Sequence, residues 1–234
     1  MIRRPFVSLI LLLALAPLAR AETLDVVRKV PHGGWEEGFK FHDGMLWASY
    51  PGGLQEMDPD TGAVVATFAP ATSYEESIAW LNGKLYSLSW VTNGIYEATL
   101  SGATLTWTEV GAVVPPTGDG MANDDRYLIL DGHGWPDIYF VDPTAFTVAK
   151  TLTLPFLDAE DFGWDGSYIW ASSGTAFPGT MARINPDTGE VVDFYSLPEP
   201  SECPWLDGVD FKDGEVWLTG KDCPFFYVAP LPPP

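Results

Sequence analysis

Five acidic residues recur along the chain at 37, 76, 119, 160 and 207, spaced 39, 43, 41 and 47 residues apart. Each opens a short pattern of acid, then usually a small residue, then an apolar one. The five copies are Glu37-Gly38-Phe39, Glu76-Ser77-Ile78, Asp119-Gly120-Met121, Glu160-Asp161-Phe162 and Asp207-Gly208-Val209. Carboxylates gathered in one place can do two kinds of chemistry. With raised pKa values they exchange protons as general acids and bases. They also suit a hard cation such as calcium, which takes oxygen ligands. Crowding has a cost: at ~8 Å and an effective dielectric of ~20, each pair repels by about 2 kcal/mol. A bound cation, protonation or a resident lysine must relieve it.

Whether the acids meet depends on the elements that carry them. A tight turn follows each one: Asp43-Gly44, Asn82-Gly83, Asp124-Asp125, Asp165-Gly166 and Asp213-Gly214. Asp-Gly and Asn-Gly supply the positive φ of two-residue hairpins. A β-rich run comes next in every copy, for example Met45–Tyr50, Lys84–Trp90 and Glu215–Thr219, and then a third. Turns of the form Asp58-Pro59-Asp60-Thr61-Gly62 and Asn185-Pro186-Asp187-Thr188-Gly189 fit type I geometry before a fourth strand. Four strands in a period of about 40–50 residues mark a β-propeller.

The expected fold is therefore all-β, a five-bladed β-propeller over residues 22–229. The fifth unit holds only three strands, so its fourth is expected at Leu24–Val30, where the two ends of the domain would pair and close the ring. Residues 230–234 read as a Pro-rich tail that frays. In a propeller the first strand of each blade lines the central channel, so Glu37, Glu76, Asp119, Glu160 and Asp207 become neighbours. Trp35, Tyr74 and Trp205 stand two residues before three of them, giving an acidic funnel with aromatic walls. Glu160 fits less closely: it lies six residues before its turn glycine, where Glu37, Glu76 and Asp207 lie seven.

Composition narrows the function classes. The 234 residues carry 12 Lys+Arg against 32 Asp+Glu, a net charge of −20, with 46% hydrophobic and 14% aromatic residues. Such a chain buries a core but lacks the basic surface that neutralises phosphates or anionic lipid, so neither nucleic acid nor membrane is an expected partner. Residues 1–21 read as a signal peptide. Arg3 and Arg4 precede an apolar run from Phe6 to Leu18, and Ala19-Arg20-Ala21 forms the cleavage site. Losing Arg3, Arg4 and Arg20 takes the net charge from −20 to −23. An exported, periplasmic or secreted chain permits a disulfide, and Cys203 and Cys223 are expected to be bridged. The two cysteines and three histidines form no zinc pattern. His133, in Gly132-His133-Gly134-Trp135-Pro136, offers a base or a ligand but reads first as a surface-loop residue, while His32 and His42 show no matching partners.

The residues resemble the plant and bacterial type of glutaminyl cyclase (glutamine cyclotransferase), a family of five-bladed propellers. Tyr74-Glu75-Glu76-Ser77-Ile78, with Gly83-Lys84-Leu85-Tyr86-Ser87-Leu88-Ser89-Trp90, is similar to the family's F-G-E-G-I … K-L-Y-Q-L-T-W. Thr219-Gly220-Lys221 matches its T-G-K. Trp35-Glu36-Glu37-Gly38-Phe39, Gly118-Asp119-Gly120-Met121 and Asp207-Gly208-Val209 sit where it has F-T-Q-G-L, G-W-G-L and N-G-I.

The resemblance implies a metal-free aminoacyl-type acyltransferase, needing no cofactor and acting as a monomer on peptides that begin with glutamine. The α-amine attacks its own side-chain amide, expels ammonia and leaves pyroglutamate. Glu76 would shuttle the proton as general acid and base, and Lys221 would balance charge or hold a substrate oxygen. Trp90 would wall the pocket beside Trp35 and Tyr74. The remaining contacts would come from Glu37, Asp119, Asp158, Glu160 and Asp207. Four departures stand out. The family's first-blade glutamine is Glu37 here, and its third-blade tryptophan is Asp119. Its N-E-L-E-Y stretch becomes Asp158-Ala159-Glu160-Asp161-Phe162, so the substrate-binding asparagine is either Asp158 or absent. Its A-N-V-W becomes Ala171-Ser172-Ser173-Gly174. The alternative is a non-catalytic propeller whose ring of Glu37, Glu76, Asp119, Glu160 and Asp207 holds calcium or a cationic partner. Lys221 separates the two readings, because an ammonium at the centre disfavours a metal cation there.

Overall fold

The computed structural model describes residues 21–34, 36–112, 118–157, 159–172 and 176–233. Two short strands come first, β1 (Glu22–Thr23) and β2 (Arg28–Pro31). Blade one follows as β3 (Gly38–His42), β4 (Met45–Tyr50), β5 (Gly53–Met57) and β6 (Val64–Phe68). Blade two is β7 (Glu75–Leu81), β8 (Lys84–Ser89), β9 (Gly94–Ser101) and β10 (Thr104–Ala112). Blade three is β11 (Gly118–Asn123), β12 (Leu128–Gly132), β13 (Asp137–Val141) and β14 (Val148–Thr153). Blade four is β15 (Phe162–Trp164), β16 (Ile169–Ser172), β17 (Thr180–Ile184) and β18 (Val191–Ser196). Blade five is β19 (Gly208–Lys212), β20 (Glu215–Thr219) and β21 (Phe225–Pro230).

Each blade is an antiparallel meander, and the inner strands β3, β7, β11, β15 and β19 touch in cyclic order, the last returning to the first. The protein is a five-bladed β-propeller. Local chemistry supports the hairpins. Asp43 and Gly44 have φ of +49° and +81°, and Asn82 and Gly83 have +54° and +73°, the paired positive values of a type I′ turn.

The N-terminal segment serves two blades. β1 pairs in parallel with β18, while β2 pairs antiparallel with β21 at the outer edge of blade five. The strand expected at Leu24–Val30 is thus divided. Leu24 N bonds the Ser196 carbonyl and Val27 N the Val228 carbonyl, so the chain changes blade between them. The proline-rich end does not fray as expected. Leu231 N donates to the Gly214 carbonyl at 2.9 Å, and Arg183 Nη1 donates to the Pro233 carbonyl at 2.8 Å.

Apolar wedges fill the spaces between blades. Phe39 and Phe226 meet edge-on at 5.1 Å beside Trp217, all three buried. The glycine after an acid also has a cause in the close approach of inner strands. A Cβ on Gly120 would lie 2.8 Å from the Phe162 ring, and one on Gly208 would lie 2.7 Å from the Phe39 ring. No helix among the described residues is long and apolar enough to cross a membrane. The apolar run at 6–18 lies outside them.

Candidate active site

The inner strands all begin at one mouth of the channel, and the five acids stand at those beginnings. Glu37, Glu160 and Asp207 extend their strands by one bond each, their amides donating to the carbonyls of Ser49, Ser172 and Thr219. Glu76 and Asp119 sit at register breaks, between Glu75 and Ser77 and between Gly118 and Met121. A bulge re-aims a side chain, and here it turns both carboxylates toward the others. All five residues are buried. Glu160 joins the ring despite its offset, because inner strand β15 is only three residues long.

Lys221 fills the centre. Its Nζ lies 3.0 Å from Glu37 Oε2, 3.7 Å from Glu160 Oε2 and 3.8 Å from both Glu76 Oε1 and Asp207 Oδ2. Its backbone amide donates to Asp207 Oδ2 at 3.0 Å. Tyr74 Oη donates a short hydrogen bond to Glu37 Oε1. One oxygen each of Glu76, Asp119 and Glu160 lie within 4.8 Å of one another.

The electrostatics follow from burial first and neighbours second. Desolvation pushes the Glu76 carboxyl up to about 10, helped by Glu37 and Asp119 and opposed by Lys221. Burial also lifts Asp207 well above the ordinary carboxyl range, with Lys221 pulling the other way. For Lys221 burial works downward, but the attraction of Asp207, Glu37, Glu76 and Glu160 outweighs it and raises the ammonium. The Tyr74 phenol is raised by burial and by its bond to Glu37. A lysine and retained protons therefore relieve the crowding of the ring.

A cavity of ≈ 420 Å³ opens onto this cluster, lined by Tyr74, Glu76, Trp90, His133, Glu160, Trp205 and Lys221. Trp90 and Trp205 remain 43% and 42% exposed, as walls of an open mouth. The Tyr74 and Trp90 rings are 5.9 Å apart. Trp35 and Asp158 lie outside the described residues. The bridge between Cys203 and Cys223 is present, and it braces the segment that carries Lys221.

His133 stands on an exposed loop, as expected, and it also reaches the ring: its Nδ1 lies 3.1 Å from Asp119 Oδ2. A signal existed. Trp90, His133 and Lys221 each stand one or two residues past the end of their blade's second strand, the strand that returns to the mouth of the ring. His32 also has partners. Its side chain is fully buried, with Nδ1 against the Glu36 carboxylate and Nε2 2.8 Å from Thr219 Oγ1. His42 stacks on Trp80 with ring centroids 3.6 Å apart.

A family model described as glutamine cyclotransferase matches residues 13–229. Among solved structures, the glutaminyl cyclase of Myxococcus xanthus superposes with a TM-score of 0.76 at 17% identity, covering 91% of this chain and 99% of that one. Hydrazine synthase of Kuenenia stuttgartiensis reaches 0.53 at 14% identity, over 87% of this chain and 58% of that one. Selenomethionine-substituted virginiamycin B lyase from Staphylococcus aureus reaches 0.52 at 17% identity, over 82% of this chain and 65% of that one. These three likenesses concern the fold. No curated protein matches by sequence. The extent of the family match, which spans the whole propeller and its ring of acids, places the chain in the glutamine cyclotransferase family.

Proposed function

We propose that this protein is a glutaminyl cyclase, converting the N-terminal glutamine of peptides to pyroglutamate with release of ammonia. The observation that carries this reading is Glu76. It lines an open cavity, and its carboxyl, pushed up to about 10, holds its proton at neutral pH. Such a group can donate to the departing amide nitrogen, which leaves as ammonia instead of amide anion. Ring closure is intramolecular, so holding the glutamine curled contributes much of the acceleration. The indoles of Trp90 and Trp205 supply walls for that, and Glu37 supplies negative charge for the α-amine. Lys221 balances the carboxylates so that the pocket can be buried at all. An acidic funnel also draws a cationic peptide terminus from solution.

The reading takes the enzyme as exported: residues 1–21 have the sequence pattern of a leader, and the Cys203–Cys223 bridge suits that compartment. The test is mass spectrometry of a short peptide beginning with glutamine, incubated with enzyme beside an asparagine-initiated control. Loss of one ammonia from the glutamine peptide alone supports the reading, and two unchanged peptides refute it. The calcium alternative has less support, since Lys221 already sits among four of the five carboxylates. A melting temperature that rises on adding calcium and falls with chelator would restore it.

A further inference from the structure

Resting on that reading, we propose that Glu75 is a positioning residue of the site: its buried carboxyl, tied to Thr72 and Ser87, aims the Glu76 acid at the cavity. Glu76 needs such support. It stands in the bulge where β7 slips against β8, between the pairs Glu75–Ser89 and Ser77–Leu88, so the ladder holds the residues on either side of it and not Glu76 itself. Its carbonyl is held by Ser49 Oγ at 2.8 Å. An acid that must reach a departing nitrogen tolerates little misplacement.

Tyr74 and Glu76 line the cavity, and Glu75 between them is wholly buried. Its Oε1 accepts from Thr72 N at 2.8 Å, and its Oε2 accepts from Ser87 Oγ on β8. Hydroxyls continue the network. Thr72 Oγ1 lies 2.6 Å from Ser89 Oγ and accepts from Tyr74 N at 3.2 Å. Ser89 Oγ donates to the Tyr74 carbonyl at 2.9 Å and accepts from Val91 N at 3.2 Å, bracketing Trp90. The chain is thus gripped beside Tyr74, Glu76 and Trp90, all of which line the cavity.

Packing alone does not call for a carboxyl at this place. Burial pushes it from 4.5 up to about 7, and an apolar side chain would fill the space without that penalty. What the carboxyl adds is two directed acceptors, one for the 72–74 loop and one for β8. The F-G-E-G-I pattern has a glycine where this chain has Glu75, so the device is this chain's own.

The experiment measures ammonia release from one glutamine-initiated peptide by wild type, Glu75→Leu, Glu75→Gln and Ser87→Ala. Glu75→Leu and Ser87→Ala are also made in a Glu76→Gln background. A silent wild type overturns the cyclase reading and this proposal together. Given an active wild type, misplacing the acid in Glu75→Leu lowers kcat by about 10²-fold, and Ser87→Ala lowers it by about tenfold, with KM within about threefold in both. Glutamine still accepts from Thr72 N and still reaches Ser87, so Glu75→Gln keeps kcat within about threefold of wild type. In the Glu76→Gln background, where the aimed group is gone, both substitutions cost less than about threefold, whereas a merely structural role costs the same in either background. If Glu75→Leu does not fold, Ser87→Ala in the two backgrounds decides. Wild-type kcat in Glu75→Leu and Ser87→Ala, equal losses in the two backgrounds, or a Glu75→Gln as slow as Glu75→Leu overturns the role of Glu75 while the cyclase reading stands.

Discussion

The Lys40 ammonium lies 2.8 Å from the Asp161 carboxylate on the channel axis, and both side chains are buried. Asp161 follows Glu160 directly, so the pair sits just beneath the ring of acids. The same carboxylate accepts from Ser77 Oγ at 2.5 Å, from Met121 N at 3.4 Å and from Val209 N at 3.2 Å. One side chain of blade four thus binds the other four blades. Burial lifts its pKa, and Lys40 opposes the rise. Removing one partner of a buried pair strands a charge, so Lys40→Met is expected to cost about 3–5 kcal/mol in denaturant unfolding at pH 7. A loss below 1 kcal/mol would show the pair to be incidental.

Glu75 offers a cleaner titration. It is wholly buried, accepts from Thr72 N at 2.8 Å and from Ser87 Oγ, and is pushed from 4.5 up to about 7, chiefly by burial. Between those values the unfolded chain has released a proton that the folded one keeps. Stability therefore falls with rising pH, by about 1.4 kcal/mol per unit from this one group. Glu75→Gln should flatten the stability–pH curve by that amount between pH 4.5 and 7. Parallel curves for the two proteins would place the burden on other groups.

The Cys203–Cys223 bridge spans a sequence separation of 20. Closing a loop of that size contributes about 3 kcal/mol in the chain-entropy account. The double serine variant should unfold at correspondingly lower urea, and reductant should destabilise wild type but not the variant. Insensitivity of wild type to reductant would remove the bridge from the account.

Much of the ring was legible because it is written five times. A period near 40 and the Asn-Gly and Asp-Gly turns are local signals, and equivalence between repeats carries them into three dimensions. Features that break the repeat were not legible. The Lys40–Asp161 pair joins positions that do not correspond between blades. His133 meets Asp119 through a loop, against a strand whose register slips at Gly118–Met121. The split of the N-terminal segment between β18 and β21 depends on which carbonyls the finished ring leaves open, and no local pattern reports that.

The most direct test of the central claim is the rate of ammonia release from a glutamine-initiated peptide by wild type and by Glu76→Gln. Glutamine keeps the size of the side chain but has no acidic proton. The account predicts turnover by wild type and a kcat lower by roughly 10²- to 10⁴-fold in the variant, with KM changed only a few-fold. A variant that turns over at the wild-type rate would contradict it.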